Sequence, residues 1–270
     1  MAINSADALL AGFKPGRFFY KAITPTLIAG KPQSLWGLGG VPGAGSFDTT
    51  LAGVALSAPQ NGQIPFTNPS VGQETRLARF VAGNAAAAAG VLMLCDRLWH
   101  NGGFTITSNA AQTVNSATFP ARDAAGTTNG DGVLLGLEIS AAAGAAAPSV
   151  TVSYTNQAGS SGRTGSNLYP TANSPAAGSF FPIALQAGDT GVRSVQSLTL
   201  SASWLSGTMN LVAYRVLAVA EVGASGLAGG GDALSTGLPL LYDSSVPFLV
   251  FVPGNTTASR IFGHVAVAQG

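Results

Sequence analysis

A chain of 270 residues with twelve basic and eleven acidic side chains carries a formal charge of +1. It therefore has no overall attraction to nucleic acid or to an anionic membrane. Hydrophobic residues at 46% exclude a compositionally disordered chain, and the single cysteine, Cys95, excludes an intrachain disulfide.

The charged fraction is 9%, against about 25% in an average soluble domain. Lys and Glu occur three times each, as Lys14, Lys21, Lys31 and Glu74, Glu138, Glu221. Interface cores are depleted in charge, so this scarcity predicts a surface that largely faces other protein. The plainer alternative is a surface kept soluble by Ser, Thr and Asn. The length suits one large domain or two small ones.

The first residues, Met1-Ala2-Ile3-Asn4-Ser5-Ala6-Asp7, lack the basic start and apolar stretch of a signal peptide. No apolar run reaches the ~18 residues of a membrane span. The expectation is a protein made in a cytoplasm and assembled there. Asn4 or Ser5 is placed to cap a short helix over residues 6–11, stopped by Gly12.

Residues 13–46 hold Pro15, Pro25, Pro32 and Pro42 among glycines and aromatics, a density that leaves little regular structure. A second irregular stretch, 57–72, holds Pro59, Pro65 and Pro69. Residues 1–63 are therefore predicted as an extended arm, and residues 64–270 as a β-rich body. The arm carries apolar groups worth roughly 1.5–3 kcal/mol each when covered, and all three lysines. Its candidate partner-binding residues are Lys14, Arg17, Phe18, Phe19, Tyr20, Lys21, Lys31 and Trp36.

From about residue 74 the pattern turns to period two, the mark of half-buried strands. Val150, Val152 and Tyr154 alternate with Thr151, Ser153 and Thr155; Leu198, Leu200, Ala202 and Trp204 alternate with Thr199, Ser201 and Ser203. Val133, Leu135, Leu137 and Ile139 share one face. Further strands are predicted at 77–81, 90–99, 209–222, 248–252 and 264–268, the run 209–222 being apolar on both faces. Asn101-Gly102-Gly103, Asn129-Gly130-Asp131-Gly132 and Gly188-Asp189-Thr190-Gly191 supply turns. The alanine runs 85–89 and 141–147 read as loops, because Gly83, Gly90, Gly144 and Pro148 interrupt them. The predicted class is all-β: an antiparallel sandwich or jelly-roll-like body with an extended N-terminal arm.

Chemistry is thin. His100 and His264 are the only imidazoles; no strained elbow marks a nucleophile, and His100 reads as a turn residue bonded to backbone. Cys95 lies in an apolar run and reads as a buried, inert thiol. One Cys and two distant His make no standard zinc cluster. Asp123, Asn129 and Asp131 bring oxygens together, yet their spacing departs from the EF-hand and no Glu closes the site; an Asx-rich turn is the simpler reading. The glycine clusters 37–40 and 229–231 lack the Lys-Ser or Lys-Thr of a phosphate loop. Trp36, Trp99 and Trp204 read as core residues, and Arg163 as a solvated loop tip. No pattern calls for a cofactor, and the expectation is a protein without catalytic turnover.

Several phrases together resemble a known family. They are Asp96-Arg97-Leu98-Trp99-His100-Asn101-Gly102-Gly103, Phe119-Pro120-Ala121-Arg122-Asp123-Ala124-Ala125-Gly126 and Gly132-Val133-Leu134-Leu135-Gly136-Leu137-Glu138-Ile139-Ser140. Val152-Ser153-Tyr154-Thr155-Asn156-Gln157-Ala158-Gly159, Leu185–Ser194 and Leu241-Tyr242-Asp243-Ser244-Ser245-Val246-Pro247 complete the set. Over roughly residues 60–270 the chain is similar to virion structural proteins of tailed bacteriophages. The resemblance implies a virion location, no catalytic residues, and the major capsid protein or other virion proteins as partners. A capsid decoration or cement protein, homo-oligomeric and by analogy with capsid threefold sites a trimer, is the leading expectation. A tail, neck, baseplate or fibre component is the alternative, followed by a carbohydrate-binding module on the virion.

Overall fold

The computed structural model describes residues 3–22, 27–169, 171–223 and 225–270; Met1, Ala2 and Pro25 of the predicted arm lie outside them. Strands make up 43% of the chain and helix 4%. In chain order the elements are α1 (Ala6–Gly12), β1 (Arg17–Ala22), β2 (Gln33–Ser34), β3 (Gly40–Val41), β4 (Val54–Ala55), β5 (Thr75–Asn84) and β6 (Gly90–His100). They continue with β7 (Gln112–Thr113), β8 (Leu134–Ala141), β9 (Val150–Asn156), β10 (Arg163–Asn167), β11 (Phe180–Ala184) and β12 (Val192–Leu200). The last are β13 (Thr208–Val222), β14 (Gly229–Asp232), α2 (Ala233–Thr236), β15 (Leu240–Leu241), β16 (Pro247–Pro253) and β17 (Arg260–Gln269).

The chain divides into two units, and the boundaries fall inside strands. Unit 1 is residues 1–45, 58–96 and 216–270; unit 2 is residues 46–57 and 97–215. Strand β6 passes from one unit to the other between Asp96 and Arg97, and β13 between Arg215 and Val216.

Unit 1 is a sandwich. One layer is an antiparallel sheet in the order β14-β5-β17-β1-β3, with β15 also on β5. In the other layer β16 pairs with β2 and with β6, from Pro247 opposite Asp96 to Pro253 opposite Gly90. Phe19, Phe80, Ile261 and Val265 from the first layer meet Leu92, Leu94, Leu249 and Phe251 from the second in one buried cluster. In unit 2 the sheet runs β13-β8-β11-β10-β9-β12-β7, with β4 on the end of β6. Leu135, Leu137 and Ile139 of β8, Val150, Val152 and Tyr154 of β9, and Leu198 and Leu200 of β12 enter one core with Trp99, Phe181 and Trp204. A single sheet can fill one cluster from so many strands only by curling around it.

The all-β class and the antiparallel, sandwich-like arrangement agree with the sequence. So does the first helix, whose N-cap is Ser5, its hydroxyl accepting from Ala8 N. Both alanine runs lie outside helices. Trp204 departs from the predicted alternation: β12 ends at Leu200, and Trp204 reaches the core from the following loop.

The predicted arm needs correction. Residues 17–22 form β1, a strand inside the six-stranded sheet, with Arg17 opposite Val265 and Ala22 opposite Arg260. Trp36 is fully buried, and glycines make its slot. A Cβ on Gly45 would sit 2.2 Å from Trp36 Cε2, and one on Gly62 would sit 2.7 Å from its Cε3. The ring of Phe248 meets the indole edge-on at 6.3 Å. Proline and glycine density marks irregular backbone here, but the described residues of that stretch pack into unit 1 and, over 46–57, into unit 2 instead of forming an arm.

Replacing Trp36 with Ala should cost about 3–5 kcal/mol, and Gly62→Val should destabilise unit 1 by overpacking the same slot. Denaturant melts followed by near-ultraviolet circular dichroism check both; midpoints unchanged from the parent chain would mean that Trp36 packs loosely.

Candidate functional site

A group of buried polar side chains lies at the end of β6 in unit 2. Strand alternation would put Arg97 and His100, three residues apart, on opposite faces; at the strand end the long guanidinium nevertheless reaches the imidazole. Arg97 Nη1 lies 2.7 Å from Glu138 Oε2 on β8, and both side chains are fully buried. Arg97 Nε also donates to His100 Nδ1 at 3.2 Å. Next to them Asn101 Nδ2 donates to Leu51 O at 2.9 Å, Leu211 N donates to Asn101 Oδ1 at 2.8 Å, and Asn210 Nδ2 donates to Asn101 O. Arg122, also buried, donates to Leu56 O at 2.9 Å and to Arg97 O at 3.1 Å.

The electrostatics of this group oppose acid–base work at neutral pH. Burial, then the charge of Arg97, lowers the His100 pKa to about 2. The imidazole is neutral, and the nitrogen facing Arg97 is engaged as an acceptor. Burial lowers the Arg97 pKa, while the charge of the paired Glu138 works the other way. The expectation of His100 as a turn residue bonded to backbone is thus incomplete: it ends a strand, and a guanidinium three residues earlier holds it.

The Asp123 loop is built as an Asx turn. Its carboxylate accepts from Ala125 N, Thr127 N, Thr127 Oγ1, Gly130 N and Asp131 N at 2.6–3.2 Å. Burial raises its pKa, but these hydrogen bonds prevail and hold it below the usual value. Asp131 Oδ1 accepts from Thr190 Oγ1 at 3.0 Å. The Asp123 oxygens thus serve the loop's own donors, and Asp131 ties the loop to Thr190. Among the described residues no group of three or more His, Cys, Asp or Glu side chains is placed to hold a metal ion.

A second carboxylate hub escaped the sequence reading. Asp189 accepts from Tyr154 Oη at 2.6 Å, Asn156 Nδ2 at 2.7 Å and Arg163 Nε at 2.9 Å, joining β9, β10 and the turn before β12. Arg163 lies on β10, and its side chain is 26% exposed; it is a clamp where a solvated tip was expected. The hydrogen bond from Arg163, against the effect of burial, lowers the Asp189 pKa to about 2. Burial, followed by Asp189, raises Tyr154 to about 12. The turn Gly188–Gly191 was visible in the sequence, but its partners lie 26–35 residues away.

In unit 1, Asp96 is fully buried and accepts from Ser245 Oγ and Val246 N, both at 2.8 Å. Cys95 is buried, and burial, then the Asp96 charge, raises its thiol pKa far above the ordinary value. The predicted partner-binding residues part company. Phe19, Lys21 and Trp36 are buried. The Lys21 ammonium donates to Leu38 O at 2.8 Å, Pro42 O at 2.9 Å and Gly43 O at 3.1 Å, pinning the loop around β3. Burial lowers its pKa to about 8. Lys31 and Tyr20 are half-buried, whereas Lys14, Arg17 and Phe18 are exposed.

Exposed apolar side chains complete the picture. Leu10, Phe13, Phe18, Ile28, Val41, Val71, Val216, Val219, Leu227 and Leu234 all belong to unit 1; only Val54, Leu168 and Leu205 of comparable exposure among the described residues belong to unit 2. Leu10 and Leu234, at 73% and 92% exposure, flank a hollow of about 610 Å³ beside β14. Val216 and Val219 flank another of about 490 Å³, and Gly230 and Gly231 line both. No family model, curated protein or solved structure matches the chain.

Two tests follow from the polar group. Glu138→Ala should destabilise unit 2 by about 3–5 kcal/mol, since it leaves a buried guanidinium without its carboxylate; equilibrium unfolding measures this. The second concerns pH. Unfolded His titrates near 6.5, while folded His100 stays neutral, so the unfolded chain gains a proton that the folded chain refuses. Stability should fall by up to about 1.4 kcal/mol per pH unit from this residue as pH drops from 6 to 5. Asp123 and Asp189, with lowered pKa values, lose their contributions only as pH falls through the carboxylate range. His100→Gln should reduce the slope between pH 6 and 5, with the remainder left to His264, whose pKa burial and then the Arg79 charge also lower; an unaltered slope would place the proton uptake elsewhere.

Proposed function

We propose that this chain is a structural subunit of a tailed-bacteriophage virion that decorates and stabilises the head shell through protein–protein contacts. The observation that carries the reading is the distribution of apolar surface: ten large, exposed apolar side chains fall in unit 1. Isolated apolar side chains on a surface need no explanation, but clusters mark interaction sites. The resemblance of residues 60–270 to virion structural proteins points the same way, as does the low charge. The polar groups of unit 2 support it too, because their hydrogen bonds are spent on holding loops and strands together.

In this reading the chain acts as a homo-oligomer, a trimer, and works without a catalytic step or cofactor. Docking comes from apolar burial and not from the lysines: Lys21 is turned inward, which leaves Lys14 and Arg17 as exposed cations of the N-terminal segment. An exposed ion pair is worth about 0–1 kcal/mol, whereas covering one leucine gives roughly 1.5–3 kcal/mol.

The test is to mix the purified chain with particles lacking it and with purified tails, and to follow co-sedimentation. Binding to heads in many copies, persisting in moderate salt, is expected. Leu10→Asp and Leu234→Asp should each weaken that binding by about tenfold or more, with the circular dichroism spectrum unchanged. Binding to tails and not to heads would move the protein to another station in the virion. Binding to neither would overturn the proposal.

A further inference from the structure

Between the two layers of unit 1 lies a pocket of about 370 Å³, within the range of small-molecule sites. Its walls are members of the core cluster: Ile64, Leu94, Leu241, Val265 and Val267, all at most 7% exposed. It therefore opens the core of unit 1 to solvent at one edge. Its edge is cationic. Lys14 and Arg17 are exposed and line it, and the lining includes no acidic side chain. The backbone of Lys14 and the side chain of Arg17 are held there. Lys14 N donates to Val267 O at 2.8 Å, and the Arg17 guanidinium donates to Thr67 Oγ1 at 3.3 Å.

We propose that this pocket binds a small amphipathic carboxylate, a fatty-acid-like molecule whose hydrocarbon body completes the unit 1 core and whose anionic head meets Lys14 and Arg17. The combination sets the ligand class. The apolar wall favours hydrocarbon over a sugar or nucleotide, because it offers few hydrogen-bonding partners to a buried polar group. The cationic edge favours an anionic head over a neutral or cationic one. A ligand that binds only the folded chain also stabilises it, so occupancy should tighten the sandwich around Leu94 and Val265.

The experiment uses the full-length chain and isothermal titration calorimetry, with decanoate below its aggregation concentration as probe. Decan-1-ol and decyltrimethylammonium serve as comparators of equal chain length. Saturable one-to-one binding of decanoate is expected, with the ammonium compound at least tenfold weaker and a rise in melting temperature larger with decanoate than with decanol. Lys14→Glu combined with Arg17→Glu should weaken decanoate about tenfold while leaving decanol unchanged. Val267→Phe, which occupies the pocket, should abolish both. If that variant does not fold, the charge reversal decides the matter, because it alters only exposed side chains. Equal affinity for all three compounds, or no binding of decanoate, would overturn the proposal. Because the isolated chain is measured, either result is independent of whether it decorates heads.

Discussion

Asp96 and Arg97 are neighbours on one strand, both shielded from water, and successive strand residues face opposite sides. Burying a charge is very costly unless partners meet it with good geometry, so the chain around each has to be organised to supply them. Asp96 receives Ser245 and the backbone at Val246 in unit 1; Arg97 receives Glu138 and His100 in unit 2. One dipeptide thus fixes a loop of unit 1 and the strand β8 of unit 2. The same strand supplies Leu92 and Leu94 to one core and Leu98 and Trp99 to the other.

This gives the scarcity of charge a second meaning. Of the few charged residues in the sequence, Lys21, Asp96, Arg97, Arg122, Asp123, Glu138 and Arg215 are buried. Charges normally coat a surface; here a substantial share fastens strands and loops from inside. That thins the charge left for the outside, where exposed apolar side chains concentrate in unit 1, and the proposed assembly role rests on that division of labour.

Much of the fold was legible in the sequence because period-two alternation is local. Val150, Val152 and Tyr154 declare their common face without reference to the rest of the chain, and so do Leu135, Leu137 and Ile139. What could not be read depends on long separations. Phe18 sits opposite His264 in the register of β1 and β17, and nothing near Phe18 announces a partner so far along the chain. Proline spacing therefore suggested an extended arm docked on a partner instead of a strand of this chain's own sheet. The slot of Trp36 is made by Gly45 and Gly62, residues that read locally as turns. The hub at Asp189 was missed for the same reason: a carboxylate in a glycine-flanked turn looks solvated until Tyr154, Asn156 and Arg163 are brought to it. The Asp123 turn was more legible, since all its donors lie within eight residues.

The pairing of β1 with β17 has a consequence for biosynthesis. Unit 1 is assembled from three stretches of sequence, and its central strand, β17, is the last to leave the ribosome. Until then β1 and β5 lack the strand that lies between them, and the hydrophobic faces of Phe19 and Phe80 have no completed layer to join. Unit 2 is a nearly continuous stretch whose strands are all available by residue 215, so it can fold while unit 1 is still waiting. Non-local strand pairing is slow and leaves edges open. A nascent chain of this protein therefore carries its most association-prone surface longest on the unit that, once folded, still presents the most apolar side chains to its surroundings.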